Sequence, residues 1–210
     1  MKKKASKIFG SFLVFIGVML ILGALGLTAY NYWEDYQAQS SSDEIVRQLE
    51  SIRMENTQQQ EEISSNDPFP EEEPDPNRDM PTVEIDGYRY IGTLTIPPLE
   101  LEFPVTEEWD YERMKIATCR YSGTVYLNDL VICAHNYNNF FRKLDKLQKE
   151  DVIIFTDVEG NSYEYRVAET EVLVPTAIEE MKTGDWDLTL FTCNYWGDAR
   201  VAVRCDSYEK

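Results

Sequence analysis

Three side chains at the ends of apolar, β-rich runs have the chemistry needed for covalent acyl transfer. Cys193 closes the run Asp187–Cys193, and Arg200 opens the next run after the six residues 194–199. His135, the single histidine of the chain, directly follows another apolar run, Leu130–Ala134. A thiolate can attack an acyl carbon, an imidazole can carry protons, and a guanidinium can stabilise an oxyanion. Strand ends are positions where such groups are commonly placed.

Each of these residues also has a structural interpretation. A lone histidine is more often structural than catalytic, and four cysteines outside a cell allow three disulfide pairings. Cys133 and His135 lie two apart on one strand face and could bind zinc, but the paired Cys-x-x-Cys spacing of structural zinc sites is missing. We therefore expect no metal site. The buried small-apolar interpretation fits Cys119, Cys133 and Cys205.

The charge of the chain is unevenly distributed. Among 210 residues the formal net charge is −18, which argues against a nucleic-acid partner because phosphate binding needs a basic surface. Residues 1–7 carry four lysines, residues 34–80 carry 14 acids and three bases, and residues 81–210 carry 24 acids and 13 bases. This division predicts that these three segments of the chain lie in different solvent environments and have different roles.

The first long apolar segment predicts a membrane anchor. Residues 8–30 form a 23-residue stretch without a charge, and about 20 apolar residues suffice for a helix to cross a membrane. The stretch is longer than the apolar region of a cleaved signal peptide and ends among aromatic residues. The lysines before it place residues 1–7 in the cytoplasm and the following chain outside, as a single-pass membrane protein.

Residues 31–80 predict an extracellular, acidic stalk and linker. Ile45, Leu49 and Ile52 have helical spacing within 43–63 and predict one short amphipathic helix. Residues 66–79 contain four prolines and six acids, which predicts an extended, disordered spacer.

Residues 81–210 predict a mainly β, closed barrel of about eight strands with short helices. Two helices are expected, at Phe140–Leu147 and Ala177–Lys182, and a hairpin turn at Glu159–Asn161. The strands are expected at Tyr88–Ile96, Leu99–Thr106, Gly123–Leu127, Leu130–His135, Asp151–Asp157, Ser162–Pro175, Asp187–Cys193 and Arg200–Tyr208.

At the three chemical residues the chain resembles the sortases, membrane-anchored cysteine transpeptidases of Gram-positive surfaces. Thr189-Leu190-Phe191-Thr192-Cys193 matches the family's Thr-Leu-x-Thr-Cys signature, and Arg200 follows at the place of the family's arginine. Ala134-His135-Asn136 is similar to the family's Gly-His-Asn segment, with alanine replacing glycine. Tyr90–Pro97 and Phe103–Val105 are similar to its opening strands. The resemblance covers residues 84–207.

The resemblance implies an eight-stranded sortase-type barrel and an acyl-transfer reaction without a cofactor. Cys193 would be the nucleophile, His135 the acid/base and Arg200 the oxyanion or substrate-orienting group. The enzyme would cleave a C-terminal Leu-Pro-x-Thr-Gly-like sorting signal of a surface protein between threonine and glycine. A cell-wall precursor or pilin amine would then accept the acyl group. There are two alternatives: a cysteine peptidase that only hydrolyses its substrate, and a non-enzymatic, surface-anchored β-barrel that binds a partner. The sequence does not decide whether the activity depends on calcium.

Two finer expectations concern the site and the class. Arg204 lies four residues after Arg200 on the same strand face but about 13 Å further along, so Arg200 is expected to serve Cys193. Arg204 is expected to form an exposed ion pair with one of the acids. The short loop after Cys193 and the lack of a second apolar span favour a single-anchor wall-attachment or sporulation type.

Overall fold

The protein is described by a computed structural model over residues 2–64, 78–137, 140–194 and 196–208. The chain divides into two compact units, residues 1–37 and 38–210. Helix α1, Lys2–Ser64, contributes to both. Its stretch Phe12–Thr57 is the one part of the described chain that is long and apolar enough to be a candidate membrane span. Residues 43–63 are helical as expected, but they continue the 63-residue α1 and do not form a separate short helix. The expected spacer at 66–79 lies outside the described residues except for Arg78 and Asp79.

Within the second unit, α1 residues between Ala38 and Arg53 pack against the β-structure. Ile45 and Leu49 are buried and form a cluster with Ile85 and Tyr90, with Ile52 packed beside them. These α1 positions recur every three or four residues, which is the spacing that puts side chains on one helix face. The stripe that predicted an amphipathic helix therefore contacts the sheet.

In the part of the chain that the structure describes, nine strands form one sheet. They are β1 Val83–Ile85, β2 Tyr88–Ile96, β3 Leu101–Thr106, β4 Thr118–Ser122, β5 Leu130–Cys133, β6 Val152–Asp157, β7 Ser162–Leu173, β8 Leu188–Cys193 and β9 Arg200–Ser207. A short helix α2, Ile178–Lys182, follows β7, and 3-10 helices cover Pro97–Leu99, Arg113–Lys115 and Phe141–Lys146.

The sheet closes into an eight-stranded barrel, as expected for the sortase-type fold. The strand order is β1-β2-β3-β4-β5-β8-β9-β7-β6, and β6 pairs back with β2. The closed ring therefore contains β2 to β9, while the three-residue β1 extends the sheet from β2. Closure satisfies the backbone groups that an open sheet would leave unpaired at its edges.

Alternation along the strands separates the barrel interior from an outer face. Leu188 and Leu190 of β8 and Val203 of β9 belong to the interior core. Phe191 and Ala202 belong to a second cluster, which also contains Met181 of α2. Because successive side chains of a strand point to opposite faces, Cys193 shares the outer face with Phe191.

One predicted strand is wrong. Residues 123–127 form a turn, and the neighbouring strand is instead β4, Thr118–Ser122. Gly123 has a left-handed backbone with φ at +74°, and a Cβ there would lie 1.9 Å from the Asp129 carbonyl oxygen. The Asp129 carboxylate accepts a hydrogen bond from the Thr124 backbone N–H at 2.8 Å. This turn chemistry outweighs the β propensity of Val125 and Tyr126.

Candidate active site

The candidate nucleophile and the candidate arginine face each other across one hairpin. In the antiparallel pair β8–β9, Cys193 lies directly opposite Arg200. The connecting turn is held by Asn194, whose N–H donates to the Ala199 carbonyl at 2.9 Å and whose amide donates to Asp198 at 2.7 Å. Directly opposed residues of an antiparallel pair lie about 4.5–5.5 Å apart at Cα. The Arg200 side chain can therefore reach a group attached to the Cys193 sulfur.

The histidine is brought to this hairpin by the neighbouring parallel strand. Cys133 of β5 is in register with Phe191 of β8, and His135 and Cys193 each lie two residues beyond that pair. Two residues beyond a registered pair, both side chains are on the same face of the sheet. The parallel pairing therefore directs His135 and Cys193 to one side of the barrel wall.

Two hydrogen bonds tie the residues beside His135 to the residues beside Cys193. The Thr192 hydroxyl donates to the Ala134 carbonyl at 2.8 Å, and the Asn136 amide donates to the Asn194 carbonyl at 2.7 Å. Each of the two chemical residues is thus flanked by both ties. The alanine that replaces the family's glycine contributes its carbonyl to one of them.

Two tyrosines enclose the imidazole ring. Tyr137 stacks on His135 with ring centroids 5.3 Å apart, and Tyr111 meets it edge-on at 5.2 Å. Aromatic pairs at these separations restrict ring orientation and add about 0.5–1.5 kcal/mol each. The imidazole plane is therefore set by contacts from both sides.

All three candidate residues line one cavity of about 270 Å³ on the outer face. Its apolar walls come from two sides: Trp109, Tyr111 and Met114 precede β4, and Pro175, Ile178 and Met181 follow β7. Cys133 and Phe191 also line it. The cavity combines an apolar lining with a few convergent polar groups, as small-ligand and peptide sites do.

The other three cysteines differ from Cys193 in burial. All four cysteines are free thiols, and Cys119, Cys133 and Cys205 are buried whereas Cys193 is half-exposed. Burial raises the pKa of Cys119, of Cys133 and of Cys205. None of the three disulfide pairings that four cysteines allow is therefore formed. Among the described residues, no group of three metal-ligating side chains is close enough to hold an ion.

This difference predicts selective alkylation. With the native protein at pH 8, we expect iodoacetamide to add a single alkyl group, at Cys193, because reaction requires an accessible thiolate. Peptide mapping by mass spectrometry locates the group, and denatured protein, in which all four thiols react, is the control. Alkylation of Cys133 before Cys193 would show that the Cys133 thiol is not buried and would contradict the structure.

Arg204 requires a correction. Its expected ion pair is present, with Nε 2.5 Å from Glu171 Oε1, but the arginine is 2% exposed and not a surface residue. The side chain lies on the outer face of β9, where α2 packs over it and supplies backbone hydrogen-bond acceptors. Strand alternation predicted that Arg204 lies on the same face of β9 as Arg200. It could not predict the burial of Arg204 by α2, which depends on tertiary structure.

The walls of the cavity and the two hydrogen bonds that hold Cys193 and His135 in place were not predicted from the sequence. Asn136 and Thr192 stand inside the quoted motifs, so their position beside His135 and Cys193 was a usable signal. Trp109 and Tyr111 fall in a segment without β or helical periodicity, and only their aromatic type could have indicated a binding surface.

The comparisons with known proteins bear on the fold and the family. The Sortase domain model matches residues 94–207. No curated protein matches the chain.

Several solved structures are similar. A sortase D5 transpeptidase from Clostridium perfringens aligns with a TM-score of 0.57 at 18% identity, covering 80% of this chain and 99% of that one. Sortase C1 from Streptococcus agalactiae gives a TM-score of 0.52 at 21% identity, over 60% and 72% of the two chains. A lid mutant of sortase A from Corynebacterium diphtheriae gives 0.50 at 20% identity, over 58% and 71%.

The structural likeness supports the fold, and the Sortase domain match covers more than half of the chain, including both strands of the Cys193–Arg200 hairpin and the His135 segment. On that match, this protein belongs to the sortase family.

Proposed function

We propose that this protein is a membrane-anchored cysteine transpeptidase that cleaves a Leu-Pro-x-Thr-Gly-like sorting signal between threonine and glycine. The new amide would join the surface protein to a cell-wall precursor or pilin amine. The observation that carries the proposal is the convergence of Cys193, His135 and Arg200 on one apolar cavity. An apolar cavity suits the leucine and proline of such a signal.

In the first half-reaction, the Cys193 sulfur attacks the threonine carbonyl carbon and a tetrahedral intermediate forms. Arg200, opposite Cys193 in the hairpin, donates hydrogen bonds to the oxyanion. The carbon–nitrogen bond then breaks, and His135 donates a proton to the departing glycine amine. The product is a thioester on Cys193 and a free amine.

In the second half-reaction, the acceptor amine attacks the thioester carbonyl. His135 removes a proton from this amine, and the carbon–sulfur bond breaks to regenerate the Cys193 thiolate. Exclusion of water by the apolar walls favours the amine over hydrolysis.

The test uses the full chain in detergent micelles with a library of sorting-signal peptides. With an amine such as a short oligoglycine present, we expect a product in which the amine has replaced the C-terminal fragment, read by mass spectrometry. Without the amine, we expect the peptide to be cleaved only by hydrolysis, at a lower rate than cleavage with the amine present. Equal hydrolysis with and without amine would assign the protein as a peptidase. No cleavage together with unaltered binding after alkylation of Cys193 would assign it as a binding module.

We expect Arg200→Ala to lower transpeptidation about 10²–10³-fold, because it removes an oxyanion donor. Arg200→Lys should also be poor, since an ammonium lacks the planar, two-pronged donor geometry. The measurement is kcat/KM for variants that are folded to the same extent. The control is Arg166→Ala, which removes an arginine of β7 that is paired with Glu150. Loss of less than about threefold would remove Arg200 from the mechanism.

We also propose a topology with residues 1–7 in the cytoplasm, a span at 8–30, an external stalk and linker at 31–80 and the catalytic barrel at 81–210. The candidate span within α1 and the lysines before it support this arrangement.

The topology predicts the outcome of limited proteolysis. Protease added to intact protoplasts is expected to release a fragment beginning within residues 34–80, detected by mass spectrometry, while a tag at the N-terminus stays protected. Lysed protoplasts provide the control in which the tag is lost. Protection of the C-terminal domain in intact protoplasts would show the opposite orientation.

A further inference from the structure

Arg204 lies where it cannot serve the reaction directly. On β9 it is opposite Thr189 of β8 and four residues beyond Arg200. At about 3.3 Å per residue, this places it about 13 Å from Arg200 along the strand. Its guanidinium is nevertheless buried beside the candidate site, and its contacts there are with neighbouring elements of the barrel.

The guanidinium binds three separate elements. It donates to Glu171 of β7 at 2.5 Å and to the Thr189 hydroxyl of β8 at 3.1 Å. It also donates to two backbone carbonyls of α2, those of Met181 at 3.1 Å and Glu180 at 2.6 Å. These contacts join the strand that ends in Cys193 to the helix above it.

Helix α2 depends on such contacts for its place. It has five residues, and an isolated helix of this length is unstable in water. The last carbonyls of any helix lack partners within the helix, and Arg204 supplies donors to two of them. Met181 of α2 is buried against Phe191 and Cys133. The position of the helix therefore rests on the burial of Met181, on the contact of Lys182 with the Tyr121 ring at 5.2 Å and on the Arg204 hydrogen bonds.

Helix α2 forms one wall of the candidate site. Ile178 and Met181 line the cavity that contains Cys193, and Pro175 leads into the helix. A displacement of α2 would widen the cavity on this side without moving Cys193, His135 or Arg200, which are held by the hairpin and by the two ties. The wall and the chemical residues thus have separate supports.

We propose that Arg204 is a positioning residue that fixes α2 as the substrate-binding wall of the candidate site. The part of this proposal that concerns substrate rests on the proposed function, and the part that concerns α2 does not. Arginine suits the role because its planar fork reaches two carbonyls, a hydroxyl and a carboxylate at once, whereas the three donors of lysine radiate from one point.

The kinetic test compares Arg204→Lys with the wild-type full chain in detergent micelles. We expect KM for the sorting-signal peptide to rise about tenfold while kcat changes less than about threefold, since the wall binds substrate and does not touch the reacting atoms. The alkylation rate of Cys193 by iodoacetamide should not fall, because the thiol keeps its place and the cavity becomes wider. Arg166→Lys, on the same barrel and paired with Glu150, is the matched control and should alter neither constant.

Amide hydrogen exchange tests the anchoring of α2 independently of turnover. The Met181 and Thr183 amides donate to Ala177 and Glu179 carbonyls, at 3.2 and 2.8 Å. We expect these amides to exchange at least about tenfold faster in Arg204→Lys, because local opening of α2 becomes easier. Glu171→Gln, which weakens one contact and keeps the others, should give a smaller change in the same direction.

The outcomes separate the two proposals. Unchanged exchange over residues 178–183 in Arg204→Lys, or a fall in kcat with unchanged KM, would overturn the role of Arg204. If the wild-type protein cleaves no peptide, the proposed function fails and the exchange result alone decides whether Arg204 anchors α2.

Discussion

Cys193→Ala is expected to abolish both cleavage and transfer, with turnover below detection. Removing the nucleophile of a covalent mechanism costs on the order of 10⁶-fold in rate, more than the loss of any other group in the site. The variant should fold normally because Cys193 is half-exposed at a strand end and the flanking ties are made by Thr192 and Asn194. Turnover is measured with the peptide and amine assay, and the thioester by intact-protein mass spectrometry.

Cys133→Ala is the matched control for this experiment. Cys133 lines the same cavity and shares its strand face with His135, but its thiol is buried and its pKa is raised by that burial. We expect this variant to change the rate without abolishing it. Activity retained in Cys193→Ala and lost in Cys133→Ala would exchange the roles of the two thiols.

His135→Ala is expected to lower turnover by about 10²–10⁴-fold, the usual contribution of general acid–base catalysis. The chain contains one histidine, so no second imidazole can replace it near neutral pH. Circular dichroism checks that the barrel remains folded, and kcat/KM is measured with the peptide and amine assay.

The matched controls for His135 are its two aromatic neighbours. Tyr111→Phe and Tyr137→Phe keep the rings that contact the imidazole and should retain most of the activity. Retention of more than about a tenth of the rate in His135→Ala would identify another proton carrier.

The sequence predicted the barrel well where local pattern and tertiary position agree. The bounds of β2 match the predicted Tyr88–Ile96, and the β8–β9 hairpin follows the predicted runs within one residue. Alternation also placed Arg200 and Arg204 on one face. These strands carry enough β-branched and aromatic residues for their propensity and their burial to point in the same direction.

The sequence could not predict features that depend on contacts distant in the chain. Strand β4, Thr-Cys-Arg-Tyr-Ser, is largely polar and lacks a β pattern, yet it is held between β3 and β5. The burial of Arg204 needs α2, whose position over β9 is not encoded in the strand itself. The packing of Ile45 and Leu49 on the β-structure likewise requires the sheet to be present.

The parallel pairing of β5 with β8 has a consequence for the order of folding. Cys193 and Arg200 meet through a local hairpin, whereas the ties between the His135 and Cys193 segments span 58 residues of chain. Loop-closure entropy makes the longer connection costlier by about 2 kcal/mol, so the hairpin can form well before the histidine segment docks. A molecule in which only the hairpin has formed would therefore present the Cys193 thiol without the candidate proton carrier His135. Under the proposed function, transpeptidation requires this long-range closure, so molecules that lack it are not expected to transfer peptides.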